Sequence, residues 1–132
     1  MSNIVVITNN DVVYKNYSEK MDIHYLGEAS LLETLEATRD KIHQGHKLLT
    51  HPLSGSVKPN DTPFKTIIVS KKKGPLDYSA LNVIEESIAS TQKFINGRKT
   101  PLWTEKVKAD FKLIDYTIIS TAIQSMDGKF IG

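Results

Sequence analysis

Ile4-Val5-Val6-Ile7-Thr8-Asn9-Asn10-Asp11 is the stretch whose reading decides the fold. Four consecutive β-branched or apolar residues without polar alternation describe a strand buried on both faces, as in a parallel sheet with helices on each side. The Asn/Asp cluster that follows reads as a turn and helix N-cap, opening a short helix over 12–17. The stretch is thus the first strand and first helix of a βαβ unit.

Working outward, Asp22-Ile23-His24-Tyr25-Leu26 alternates and predicts a second strand, closed by Gly27. Ser30-Leu31-Leu32-Glu33 matches a capping box, in which the serine hydroxyl takes the amide of the glutamate and the carboxylate reaches back. Leu32, Leu35 and Ile42 continue as an apolar stripe, and Gly45 is placed to end the helix in a left-handed conformation. A third strand is expected over 46–51, centred on Leu48-Leu49-Thr50. Between 52 and 63, three prolines and Gly55 forbid a helix and disfavour a central strand. Thr66-Ile67-Ile68-Val69-Ser70 predicts the fourth strand. Asp77 caps a helix bearing Leu81, Ile84, Ile88 and Ile95, which Asn96-Gly97 closes. Thr104 caps a last helix bearing Val107, Phe111, Ile114, Ile118 and Ala122. Trp103, just before it, is expected to staple onto its first turns. Asp127-Gly128 opens a short tail that the pattern leaves unassigned. The expectation is one α/β domain over 1–132: a small three-layer Rossmann-like open sheet of about four mostly parallel strands. Its order is 2-1-3-4, with helices on both faces. Strand 4 is the candidate for antiparallel pairing, because no helix links it to strand 3.

Composition narrows the function. The 132 residues fit a single domain, and with 39% hydrophobic residues they sustain one core. The absence of cysteine removes thiolate nucleophiles, Cys-ligated zinc and Cys-ligated iron–sulfur clusters. A formal net charge of +2 with dispersed lysines argues against nucleic-acid binding. Lys71-Lys72-Lys73, the one basic run, reads as a solvated strand end. No basic n-region precedes Ile4, and the apolar stretches are too short to span a membrane, so a cytoplasmic protein is expected. His43, His46 and His51 do not form a metal set, since the strand separates the last two by roughly 15 Å. No metal or cofactor is expected.

Chemistry is expected where the order 2-1-3 reverses the chain direction, at the carboxyl ends of strands 1 and 3. One lip of that crevice carries Thr8, Asn9 and Asn10. The other carries His51, Ser54, Gly55, Ser56 and Lys58. Successive amides at 54–56, two hydroxyls and the Lys58 ammonium suit a carboxylate or phosphate. The same loop also reads as a compact cover that only fixes its own turns. It is no P-loop, because a leading glycine is missing and Pro59 blocks the helix that should follow. In the last helix, Tyr116, Ile118, Ile119, Ala122 and Ile123 span more than one stripe, which makes part of it a candidate dimer surface.

Ile7-Thr8-Asn9-Asn10, the run His46-Lys47-Leu48-Leu49-Thr50-His51-Pro52-Leu53-Ser54-Gly55-Ser56-Val57-Lys58-Pro59-Asn60, Thr62-Pro63-Phe64, and Lys99-Thr100-Pro101 with Trp103 together resemble the GrdX family. These small proteins are encoded beside the glycine, sarcosine and betaine reductase genes of amino-acid-fermenting anaerobes. The resemblance implies a context and partners, the glycine reductase components, rather than a mechanism. A non-catalytic accessory protein that binds a small anion or a protein partner at 51–58 is the leading expectation. Its rivals are a small enzyme with His51 as acid or base on a phosphorylated or carboxylated metabolite, and a regulator that senses such a metabolite through the loop.

Overall fold

The structure is a computed structural model that describes residues 3–53, 62–97 and 102–126. Seven elements follow one another: β1 (Ile4–Thr8), α1 (Asp11–Tyr17), β2 (Asp22–Tyr25), α2 (Leu31–His43), β3 (Thr66–Ser70), α3 (Tyr78–Gly97) and α4 (Glu105–Met126). The helix starts obey the capping chemistry of the sequence. Asn10 Oδ1 accepts the Val12 amide at 3.0 Å. Ser30 and Glu33 form the reciprocal capping box at 3.1 and 2.9 Å. Asp77 and Thr104 accept the amides of Ala80 and Val107 at 3.2 Å each.

The sheet corrects the expected strand order. Three strands lie in the order β2-β1-β3, with β2 parallel to β1 and β3 antiparallel to it. β3 is the stretch read from sequence as the fourth strand, and it takes the place expected for the third. The segment read as the third strand is reduced to a single bridge, Leu48 to Val69, on the outer edge of β3. The reason lies in how much each segment can bury. Ile67, Ile68 and Val69 are wholly buried, so β3 needs a covered position beside β1. Leu48 and Leu49 are only half-buried and flanked by exposed Lys47, which suits an edge. The mostly parallel four-stranded Rossmann-like arrangement is therefore replaced by a mixed three-stranded sheet.

Helices cover both faces. Alternation along β1 and β3 sends Ile4, Val6 and Ile68 to one side, where they pack with Val13 of α1 and Ile119, Ile123 and Met126 of α4. Ile67 points to the other side, among Leu31, Leu35 and Ile42 of α2 and Ala80, Ile84 and Ile88 of α3. α4 meets the sheet on a different face from the stripe read in the sequence. Asp115, Ile119, Ile123 and Met126 are buried, whereas Val107 and Ile114 face outward.

At the far end of the sheet, Lys71 pairs with Asp22 at 2.6 Å, so the basic run begins as a surface ion pair. His46 is buried with Nδ1 2.6 Å from the Ser70 carbonyl oxygen, while His24 and His43 are exposed. Among the described residues no group of three histidines or carboxylates is disposed to hold a metal ion. None of the helices among those residues is long and apolar enough to cross a membrane.

Gly45 follows α2 at φ 105°, and its carbonyl oxygen accepts the Gly74 amide at 2.9 Å. A Cβ at this position would collide with the Gly74 carbonyl oxygen. Backbone strain and backbone clash act together, so Gly45→Ala is expected to lower the unfolding free energy by about 2 kcal/mol or more. The same change at Gly97, where a Cβ meets open space, is expected to stay within about 0.5 kcal/mol. Urea denaturation of the two variants measures the contrast.

Candidate functional site

The end of the sheet where β1 and β2 finish is organised by three consecutive residues, Thr8, Asn9 and Asn10, all buried. Thr8 and Thr66 are cross-strand partners with hydroxyl oxygens 2.7 Å apart. Thr66 Oγ1 donates to Asp115 Oδ2 at 2.6 Å and its backbone amide donates to Asp115 Oδ1 at 3.2 Å. Because the Thr66 proton goes to the carboxylate, the Thr8 hydroxyl donates to Thr66, and Thr8 in turn accepts the Asn10 amide at 3.0 Å. The bonds run in one direction toward the charge, and each polarises the next.

The two asparagines are fastened differently. Asn10 Nδ2 donates to Asp115 Oδ2 at 3.0 Å and to the Lys112 carbonyl at 2.9 Å, which locks α4 onto the start of α1. Asn9 Nδ2 donates to the carbonyls of Ala29 and Pro63 at 2.8 Å each, and its Oδ1 accepts the Lys65 amide at 2.9 Å. Asn9 thereby ties the β2–α2 loop to the approach of β3. Each carboxamide thus has both amide hydrogens and its oxygen engaged within the fold.

Beside this turn opens a cleft of about 640 Å³. One wall is the β2–α2 loop with Gly27, Glu28, Ala29 and Ser30. The opposite wall is the first two turns of α4 and the residues before it, with Leu102, Trp103, Glu105, Lys108 and Lys112. Tyr25, Phe64, Pro63, Asn9 and Asp11 lie between. Tyr25 is stacked on Tyr14 with ring centroids 4.7 Å apart, and Trp103 meets Phe111 edge-on at 6.0 Å. Trp103 therefore both packs on α4, as a staple does, and presents surface to the cleft.

Lys112 is the best-held cation there. Its ammonium lies 2.9 Å from Asp11 Oδ1 and 5.3 Å from the centre of the Phe64 ring. Asp11 also accepts Lys15 at 3.2 Å. The hydrogen bond from Lys112 is the main cause that holds the Asp11 carboxyl below its ordinary range; burial opposes it and Lys15 adds to it. Lys65, at the entrance to β3, is buried. Desolvation pushes its ammonium below the ordinary lysine value, and the charge of Asp115 partly offsets that.

The structure bears on the expected site residues unevenly. Asn9 borders the cleft, and Asn10 sits beneath it, fully buried. His51 is exposed, with Nδ1 accepting the Leu53 amide at 3.1 Å. Ser54, Gly55, Ser56 and Lys58 lie outside the described residues, as does the tail from 127. The bridge to β3 makes 48–50 run parallel to β1, so His51 and Asn9 stand at the same end of the sheet. β3 separates them, so the lips are about two strand spacings apart, roughly 10 Å, with no open switch point between neighbouring strands.

A family model described as GrdX-like protein matches residues 5–124. The chain belongs to the GrdX-like family. No curated protein and no solved structure matches it. The match spans β1 through most of α4, so the family pattern takes in both the Thr8–Asp115 network and the walls of the cleft.

Asp115, Lys65 and Lys112 escaped the sequence reading, and Thr66 and Phe64 entered it only as a strand start and as part of the family resemblance. For Asp115 a signal existed, since it stands four residues before Ile119 and eight before Ile123, on one helical face. A carboxylate in an apolar stripe reads as an interruption unless its partners are known to lie opposite.

Removing the Asp115 carboxylate strands the Thr66 amide, the Thr66 hydroxyl and one Asn10 amide hydrogen in a buried place. Asp115→Ala is expected to cost about 3 kcal/mol in a denaturant titration, and Asp115→Asn less. Lys65 gives a pH signature. Its folded-state pKa is depressed, so below the ordinary value of 10.5 the unfolded chain holds the proton more tightly. Stability contributed by this group therefore increases as pH rises from its folded pKa toward 10.5. Lys65→Met is expected to flatten that rise when unfolding free energies are compared from neutral to alkaline pH.

Proposed function

We propose that this chain is a non-catalytic accessory protein of a glycine reductase-related system in the cytoplasm of an amino-acid-fermenting anaerobe. It works there by binding a small carboxylate- or phosphate-bearing metabolite, and through that ligand or directly it engages reductase components. Membership of the GrdX-like family supports the context. The observation that carries the binding role is the cleft between the β2–α2 loop and α4, at the carboxyl ends of the two parallel strands. Ligands favour that end in open α/β sheets.

The electrostatics favour exchange of one anion for another. Asp11 is shared by two ammonium groups, Lys15 at 3.2 Å and Lys112 at 2.9 Å. A ligand carboxylate or phosphate can take Lys112, while Lys15 keeps Asp11 neutralised. Lys108, four residues earlier on the same wall, pairs with exposed Glu105 at 3.5 Å and offers a second cation. The body of the ligand then lies against Trp103 and Phe64. The loop 51–58, with His51, Ser54, Gly55, Ser56 and Lys58, is the proposed contact for the partner or an alternative one for the anion.

Thermal unfolding with glycine, acetyl phosphate, inorganic phosphate and nucleotides tests the reading. At least one anion at millimolar concentration is expected to raise the Tm by several degrees. Lys112→Met is expected to abolish that rise, and Lys58→Ala to leave it intact if the cleft is the site. Loss with Lys58→Ala alone moves the site to the loop. No shift with any anion sinks the ligand reading, and co-purification of reductase subunits in that case leaves a scaffold role.

A further inference from the structure

We propose that the outward face of α4 is the interface of a two-fold dimer in which two α4 helices pack antiparallel. α4 carries two apolar stripes. One, through Ile119, Ile123 and Met126, is buried in the domain. The other runs through Val107, Phe111, Ile114 and Ile118 at alternating spacings of four and three; Phe111 and Ile118 are half-buried, whereas Val107 and Ile114 are exposed. Val107 and Ile114 on this stripe are 37% and 53% exposed, and Leu113, beside Ile114 and further round the helix, is 60% exposed.

A second observation is independent of hydrophobicity. From 113 to 126 the single charged residue is Asp115, and it is buried beneath the helix. The exposed faces of α2 and α3 carry Glu33, Asp40, Glu85, Glu86 and Lys93, so a neutral surface over four turns is peculiar to α4. The hydroxyls on this surface are turned inward. Thr117 donates to the Leu113 carbonyl at 2.9 Å, Thr121 to that of Thr117 at 3.0 Å, and Ser125 to that of Ala122 at 2.9 Å. The exposed threonines therefore offer methyl groups. Depletion of charge is the compositional mark of an interface core.

Charge also selects the occupant and its direction. A charged partner finds nothing to pair with between 113 and 126, whereas a second copy meets the same neutral strip, as a two-fold interface requires. A parallel pair would set Glu105, Lys106 and Asp110 against their own copies, like against like. An antiparallel pair centred between Thr117 and Ile118 sets Ile114 against Thr121 of the second copy. It sends the charged first turns to opposite ends. A strip about 20 Å long on a helix about 10 Å across covers less than the roughly 800 Å² per partner of tight complexes. The dimer is therefore concentration-dependent, forming in the micromolar range or above.

Sedimentation velocity from about 1 to 500 μM is expected to show the 14.8 kDa chain doubling in mass. Ile114→Lys, at a position already half exposed, is expected to remain monomeric over that range with little change in Tm. Because the chain has no cysteine, single spin labels report direction. Labels at Gln124→Cys and Lys106→Cys are expected roughly 20 and 35 Å apart between copies, from the 1.5 Å rise per residue, whereas a parallel pair gives two short distances. A wild-type chain that stays monomeric throughout overturns the proposal. So does a dimer that survives Ile114→Lys, or a monomer in which that change causes a large loss of Tm, which would show Ile114 to be packed within the domain. None of these readouts involves the cleft, so dimerisation and ligand binding stand or fall separately.

Discussion

The Asp115 carboxylate, buried between α4 and the sheet, is the interaction on which the rest of the arrangement depends. An uncompensated charge in that place would be costly. It is tolerated because Thr66 supplies an amide and a hydroxyl and Asn10 supplies an amide hydrogen, all at 3.2 Å or less. Those donors come from β3 and from the turn after β1. The carboxylate is satisfied only when the antiparallel pairing of Thr8 with Thr66 is formed and α4 lies across both strands. A single ionised group thus fixes the strand pairing, the position of the last helix and the entry into α1.

The cleft inherits its shape from the same turn. Asn10 places the Lys112 backbone, and Asn9 places Ala29 and Pro63. One asparagine sets the α4 wall, and its neighbour sets the opposite wall and the approach of Phe64. Cleft-lining side chains such as Lys112 and Trp103 then stand on elements whose spacing is decided by bonds beneath them. This is the relation between a binding surface and its support that holds a site to a fraction of an ångström.

Much of this was legible in the sequence, in a particular sense. Local chemistry translated directly: the Ser30–Glu33 capping box, the caps at Asp77 and Thr104, and the left-handed Gly45 each depend on a few neighbouring residues. The buried character of 4–7 and 67–69 was equally plain, as were helices on both faces. Strand order was not legible, because it depends on which of two short apolar segments gains more from the central place. Leu48-Leu49 and Ile67-Ile68-Val69 differ by one residue in length, and tertiary burial decided between them. The face of α4 was misread for a related reason. Val107, Phe111, Ile114 and Ile118 form an unbroken apolar stripe, whereas the buried face is interrupted by Lys112 and Asp115. Only the three-dimensional position of Thr66 and Asn10 makes the interrupted face the inner one. Asn9 and Asn10 were singled out as donors near a crevice, and the structure assigns their donors to the protein's own backbone and to Asp115.

That misreading has a physical consequence for how the molecule meets others. A helix that buries a polar-interrupted face leaves part of its continuous apolar stripe outside, here at Val107 and Ile114, at a cost of about 25 cal/mol for each exposed Å². An isolated domain gains nothing from retaining such a stripe, and a charge at Leu113 or Thr117 would cost the fold little, since both are exposed. The internal constraint explains why Asp115 is where it is. It does not explain why the next four turns avoid charge on the opposite side. One helix thus carries an inner face, where Asp115 closes the domain, and an outer strip over 113–126 that bears no exposed charge. The cleft occupies the remaining sector at the N-terminal end, where charge returns at Glu105, Lys108 and Lys112. Along α4 the charged residues that line the cleft thus give way, after Lys112, to the neutral strip.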